Sequence, residues 1–200
     1  MATLYLMRHG ETIFNQQQRI QGWVDSPLTE LGIEQARAAG ARLRERGVVI
    51  DHAYCSTAER ASDTLELVLE AMGQPLPYGR LKALREVSHG KLEAESERLN
   101  RDVPFDQFDA FLTQFGGETQ AQVRARMVPA LIDIMARPGH ENVLVVSHAG
   151  ASLSTLQAFG AFEQAVAAGI GNCTVWAIAY DAAKAGSPEA FSLVDIIKPA

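Results

Sequence analysis

The chain predicts an α/β fold: a three-layer sandwich whose mostly parallel central sheet is flanked by helices, with a helical insertion over the carboxyl ends of the strands. Three observations predict it. Residues 3–7 and 142–146 (NVLVV) are short apolar runs rich in β-branched or bulky side chains, as strands buried on both faces require. Segments of helical periodicity alternate with such runs, which places crossover helices on both faces of a sheet. Residues 88–117 break the rhythm with four of the eight phenylalanines and a dense acidic group. They read as an insertion above the sheet of a single domain spanning residues 1–200.

In chain order, residues 3–7 form the first strand. After the turn Asp25-Ser26-Pro27, Thr29 is placed to cap a helix with an apolar face of Ile33, Ala36, Gly40 and Leu43, ended by Gly47. Residues 48–50 and 53–55 read as one interrupted strand. Ser56 and Glu59 have capping-box spacing and open a helix with Ala61, Thr64, Leu65, Val68 and Met72 on one side, stopped by Gly73. Residues 81–86 read as another short strand. Within the insertion, Phe105, Phe108, Phe111, Leu112 and Phe115 recur at helical spacing, which packs a helix onto the body of the domain. The alternative is that some of them form an apolar wall against a substrate. Val123, Met127, Leu131 and Ile134 place a long helix over about residues 118–136, closed by Arg137-Pro138-Gly139. Strands follow at 142–146, near 173–180 and at 191–197.

Two hundred residues, 47% hydrophobic and 21% charged, exclude disorder and fibrous repeats. A chain of this length buries about 70% of its extended surface and needs no metal or disulfide staple. The net charge of −6 argues against a nucleic-acid or membrane-surface binder, since either needs a basic face, but leaves room for a local basic pocket. Cys55 and Cys173 are too few for a disulfide framework and lack partners at metal-ligand spacing, which points to a reducing compartment. The run at 3–7 is broken at once by Arg8-His9 and is no signal peptide. Residues 158–180 are Ala-rich but interrupted by Glu163, Gln164 and Asn172, and make no membrane span. A cytoplasmic protein is expected, with its oligomeric state left open.

Ligands of open α/β sheets bind beyond the carboxyl ends of the strands, and two strands here end in histidine. Arg8-His9-Gly10-Glu11-Thr12 follows the first. Ser147-His148-Ala149-Gly150 follows the NVLVV strand and opens a helix, whose free N–H groups, Ala149 among them, make an anion site. Arg60, just past the Ser56/Glu59 pair, faces the same rim. This cationic set suits a phosphate: an Arg fork matches two oxygens, a second Arg covers the rest, and a protonated His adds a donor. Arginines beside His9 keep it neutral and nucleophilic, provided its other ring nitrogen donates to a backbone carbonyl. Glu86, after Leu84-Arg85, is the natural acid for a leaving oxygen. His52 and His140 read as surface or loop residues.

Arg8-His9-Gly10-Glu11-Thr12, then Asn15 and Gly22-Trp23-Val24-Asp25-Ser26-Pro27-Leu28-Thr29, resembles the signature of the histidine phosphatase superfamily, phosphoglycerate-mutase-like branch. Ser56-Thr57-Ala58-Glu59-Arg60-Ala61 with Thr64, Leu84-Arg85-Glu86, Gly117-Glu118-Thr119 and Ser147-His148-Ala149-Gly150 match its later blocks in order. The resemblance implies that His9 is phosphorylated, that Arg8, Arg60 and His148 bind the transferring phosphoryl group with Asn15 also touching it, and that Glu86 is the proton donor. It implies no metal. The stretch after Glu86 departs from the family: His89 stands at its aromatic position and Ala94 at its second glycine. That leaves the catalytic set intact and makes His89 a candidate pocket residue.

Three functions are weighed. A phosphatase passes the phosphoryl group of a small-molecule phosphomonoester through His9 to water. A mutase returns it to another hydroxyl, with 2,3-bisphosphoglycerate as phosphoryl primer, and needs cationic contacts beyond the phosphoryl site. Residues 88–118 carry three basic side chains (Lys91, Arg98, Arg101) against seven acidic ones (Glu93, Glu95, Glu97, Asp102, Asp106, Asp109, Glu118), a balance of 3 − 7 = −4 that favours the phosphatase. A non-catalytic phospho-ligand module would have lost His9 or Glu86, and both are present.

Overall fold

The computed structural model describes residues 2–104 and 107–199. Six strands form one mixed sheet in the order β3-β2-β4-β1-β5-β6: β1 (Ala2–Arg8), β2 (His52–Ser56), β3 (Tyr78–Leu81), β4 (Asn142–Ser147), β5 (Val175–Tyr180) and β6 (Phe191–Ile197). The β3-β2-β4-β1 portion is parallel, and β5 pairs antiparallel with both β1 and β6. After the one-turn helix α1 (Ile13–Gln16), helices α2 (Glu30–Glu45) and α3 (Glu59–Met72) supply the layer in which Ala36, Leu43, Leu65 and Val68 pack with Leu144 and Val146. Helices α5 (Gln120–Met135) and α6 (Ala149–Ala158) supply the other, where Val123, Met127, Leu131 and Leu156 pack with Val143 and Val145. The alternating residues of β4 thus feed two cores, which explains its unbroken apolar run.

Thr29 caps α2 by accepting from Gly32 N, and Thr119 caps α5 in a capping box with Gln122. Three sequence expectations are corrected. The Ser56/Glu59 capping box does not form: α3 begins after Ala58, Ser56 Oγ accepts from Ala58 N, and the Glu59 side chain pairs with Arg80 at 2.8 Å. The first-turn N–H of Glu59 is satisfied instead by Asp25, from a distant loop. Residues 48–50 are no strand, because the Gln74 side chain takes their backbone groups, accepting from Ile50 N and donating to Val48 O. The strand expected at 81–86 ends at Leu81, where its partner β2 also ends at Ser56, and residues 82–84 turn into a 3-10 helix. His140 also departs from expectation: it is buried, its ring 3.7 Å from that of His52.

Residues 88–104 and 107–117 hold short 3-10 turns and helix α4 (Phe108–Gln114), and His89, Glu97, Asn100 and Arg101 share a cavity with Arg8 and His9. Leu112 is fully buried and Phe108, Phe111 and Phe115 pack half-buried on the core, as expected of an anchoring helix. Phe105 lies outside the described residues. The ends of the segment are tied at Gly90, whose φ is +56° and where a Cβ would sit 2.2 Å from Phe115 O. Ala94, at the family's glycine position, adopts φ +66°, a left-handed backbone that costs an L-residue about 1 kcal/mol or more. Ala94→Gly is therefore expected to raise stability by up to about 1 kcal/mol, the relief exceeding glycine's larger unfolded-state entropy. Urea unfolding of the two proteins measures this, and a destabilised variant would count against the strain. No helix among the described residues is long and apolar enough to cross a membrane.

Candidate active site

Parallel pairing of β1 with β4 sets Arg8 against Ser147, so the next residues, His9 and His148, emerge side by side above the sheet. Their rings meet edge to face with centroids 5.2 Å apart. The helices of the two layers diverge at this strand pair, which opens a crevice of the kind in which α/β sheets bind ligands. A cavity of about 250 Å³ opens there, lined on its floor by Arg8, His9, Asn15, Glu86 and Ala149.

His9 Nδ1 lies 2.7 Å from Gly10 O. A carbonyl only accepts, so Nδ1 carries the proton and Nε2 keeps its lone pair. Nε2 accepts weakly from Arg60 Nε at 3.3 Å. Burial first, then Arg60 and Arg8, hold His9 well below the usual histidine range, against the pull of the Gly10 carbonyl. The tautomer condition set by the sequence is therefore met. His148, the N-cap residue of α6, is likewise buried, and its two ring nitrogens are without partners among the described residues. Burial, then Arg60, His9, Arg126 and Arg8, hold it well below the usual range. Burial, with the nearby guanidiniums second, thus disfavours the protonated donor expected at His148.

Arg60, in the first turn of α3, is fully buried and almost wholly committed. It donates to Gly22 O (2.8 Å) and Val24 O (3.0 Å) and pairs with Asp25 at 2.8 Å. That loop is held by Glu93, whose carboxylate accepts from the N–H groups of Gly22, Trp23, Val24 and His89. Arg8 donates to Ile170 O at 2.8 Å and leaves its buried Nε without a partner among the described residues. Burial lowers its guanidinium from the ordinary value, opposed by Glu86. Asn15 shares a capping box with Thr12, its Oδ1 accepting from Thr12 N and from Asn172 Nδ2. Asn172 also donates to His9 O at 3.0 Å.

Glu86 comes from an irregular segment yet is fixed from three sides. Its Oε1 accepts from Val87 N (2.8 Å) and Ala151 N (2.7 Å), and its Oε2 accepts from Gly150 N (2.9 Å). A carboxylate has about four lone-pair sites, so roughly one remains for the cavity. Gly150 makes room for it: a Cβ there would sit 2.9 Å from Glu86 Oε1. The outer wall is Ile20, Gln21, His89, Glu97, Asn100 and Arg101. His89 therefore lines the pocket, and among the described insertion phenylalanines Phe108, Phe111 and Phe115 do not. Sequence reasoning missed Glu93, Asn172 and the Glu97–Arg101 side of the wall, none of which carries a local signal.

Arg8, His9, Asn15, Glu86 and Ala149 line this one crevice, while Arg60 and His148 stand against the His9 ring, fully buried and outside the lining. The pattern of the histidine phosphatase superfamily (branch 1) matches residues 4–187. The chain belongs to that superfamily. Among relatives, a 2,3-bisphosphoglycerate-dependent phosphoglycerate mutase of Rhizobium etli is 40% identical over 167 residues, 77% of each chain. A phosphoglycerate mutase of Bacillus anthracis superposes with a TM-score of 0.81 at 26% identity, over 97% of this chain and 92% of that one. A mycobacterial glucosyl-3-phosphoglycerate phosphatase, solved with VO3, gives 0.71 at 28% identity, over 90% and 93%. This member of the superfamily is accordingly an enzyme of phosphoryl transfer.

Neutral burial of both histidines makes stability depend on pH. The folded state holds His9 and His148 well below the usual histidine range, while the unfolded chain takes up protons from about pH 6.5 downward. The unfolded state then binds more protons, so stability is lost as pH falls below that point and none is gained above it. Thermal unfolding is expected at lower temperature near pH 5.5 than near pH 7.5, with the difference smaller in His9→Asn/His148→Asn. An unchanged difference in the double variant would remove these two rings as its source.

Proposed function

We propose that this histidine phosphatase hydrolyses a small phosphomonoester through a phosphorylated His9. The observation that carries the reading is the His9 ring itself: its Nδ1 fixed by Gly10 O, its Nε2 3.3 Å from Arg60 Nε, its edge meeting His148, and the residue lining the cavity beside Arg8. Nε2 attacks phosphorus, the P–O bond to the leaving group breaks, and the electron pair goes to the leaving oxygen. Glu86 gives that oxygen its proton. In the second half, Glu86 accepts a proton from water, whose oxygen attacks phosphorus and breaks the P–N bond. Phosphoryl transfer spreads charge over three equatorial oxygens, so fixed cations and donors supply most of the help. Arg8, Arg60, Asn15, His148 and the Ala149 N–H are those groups, and an arriving phosphate dianion supplies the charge that lets His148 protonate. The set then titrates together.

The outer wall supports hydrolysis over isomerisation. Among the described residues its charges from the insertion are Arg101 and the opposing Glu97, which is little to hold the second phosphate of a bisphosphorylated intermediate. The mutase reading is favoured by the name of the Rhizobium relative. Incubation with a phosphomonoester panel, and in parallel with 3-phosphoglycerate plus catalytic 2,3-bisphosphoglycerate, separates them. Free phosphate that depends on His9 is the expected result. Formation of 2-phosphoglycerate with little phosphate release would establish the mutase instead.

A further inference from the structure

We infer that Arg126 and Glu118 are positioning residues for Glu86, acting through its backbone to set where its carboxyl lies. The inference rests on the assignment of Glu86 as proton donor above. The segment that carries Glu86 has no ladder to hold it, since β3 ends at Leu81 and the 3-10 turn ends at Leu84. A general acid must nevertheless meet the leaving oxygen within hydrogen-bond reach. The carboxyl is itself fixed to N–H groups of a different element, α6, so the backbone of residue 86 has to stand at a set distance from that helix.

Arg126, on α5, supplies most of that support, beside Ser147 Oγ and Trp23 Nε1, which donate to Leu84 O at 2.9 Å and Glu86 O at 3.0 Å. One edge of its guanidinium meets Glu118 in a paired contact, Nε to Oε1 at 2.9 Å and Nη2 to Oε2 at 2.8 Å. The remaining N–H groups donate to three carbonyls of the acid-bearing segment: Nη1 to Ala83 O (2.8 Å) and Arg85 O (2.7 Å), and Nη2 to Glu86 O (2.8 Å). Glu118 completes the frame by accepting from Ser88 N at 2.9 Å. Residues 83 to 88 are thus gripped on both sides of Glu86 by one ion pair, most of whose surface is covered. Only a planar fork reaches a carboxylate and three carbonyls at once, so lysine keeps the charge and loses the frame. Glu118 is the glutamate of the Gly117-Glu118-Thr119 block, which neither phosphate binding nor the nucleophile uses.

The test compares Arg126→Lys and Glu118→Gln with the parent on p-nitrophenyl phosphate, whose leaving group needs little protonation, and β-glycerophosphate, whose alkoxide needs it. The ratio of alkyl to aryl kcat is expected to fall about tenfold or more in each variant, with inhibition by inorganic phosphate unchanged. In a Glu86→Gln background the same substitutions are expected to lower the ratio no further, as for residues acting through one group. A purely structural ion pair lowers thermal stability and leaves the ratio alone, and that result in folded protein overturns the inference. If Arg126→Lys does not fold, Glu118→Gln carries the same measurement. Should Glu86→Gln itself leave the ratio unchanged, the proton-donor assignment fails and the inference with it. Should Glu86→Gln lower the ratio while both other variants keep it, the assignment stands and the inference alone is wrong.

Discussion

His9→Ala is expected to slow phosphate release on the order of 10⁴-fold or more, the scale on which removal of a nucleophile acts when nothing nearby replaces it. His148 does not replace it. Its ring centroid is 5.2 Å away, and in the proposed reaction it donates to the phosphoryl oxygens. The parent enzyme, quenched during turnover, is expected to carry an acid-labile, base-stable phosphoramidate that is missing from His9→Ala. Because the β1 ladder and the hydrogen bond from His9 N to Ser147 O belong to the backbone, the variant retains the fold. Phosphate release that survives unchanged in clean His9→Ala protein would assign the nucleophile elsewhere.

The second large effect is expected at Glu86. Glu86→Gln preserves the size of the group but offers no transferable proton, and its amide cannot accept at both oxygen positions from Val87, Gly150 and Ala151 as the carboxylate does. Hydrolysis of an alkyl phosphate is expected to fall roughly 10²- to 10⁴-fold, the usual worth of general acid help. The fall with p-nitrophenyl phosphate is expected to be much smaller, since p-nitrophenolate leaves without a proton. Equal losses with both substrates would mean that Glu86 holds α6 in place and transfers nothing.

The parts of the fold legible in the sequence are those whose cause is local. The runs of β1 and β4 are apolar at successive positions because both faces are covered. Thr29 and Thr119 cap their helices from adjacent residues. The expectations that failed have causes far along the chain. Asp25 caps α3 in place of Ser56, Gln74 takes the backbone groups of residues 48–50, and β3 stops where β2 stops. A capping box, a β-branched pair and an apolar run are each correct local signals that a distant partner overrides.

The active site divides in the same way. Arg8 announces itself by ending a strand, His9 and His148 by following strands, and Arg60 by opening a helix, so the chemistry of a cationic, histidine-bearing crevice is written in the sequence. Which state those groups occupy is decided only by packing. The Gly10 carbonyl selects the His9 tautomer, and burial beside three guanidiniums keeps His148 neutral. Glu93 shapes the loop that holds Arg60, and Asn172 reaches His9 and Asn15 from the other end of the chain. The sequence by itself determined the residue types that phosphoryl transfer needs and the strand ends that present them. The tertiary structure decided their protonation, their aim and the wall that faces the substrate, because hydrogen bonds and desolvation act between neighbours in space, however far apart they stand in the chain.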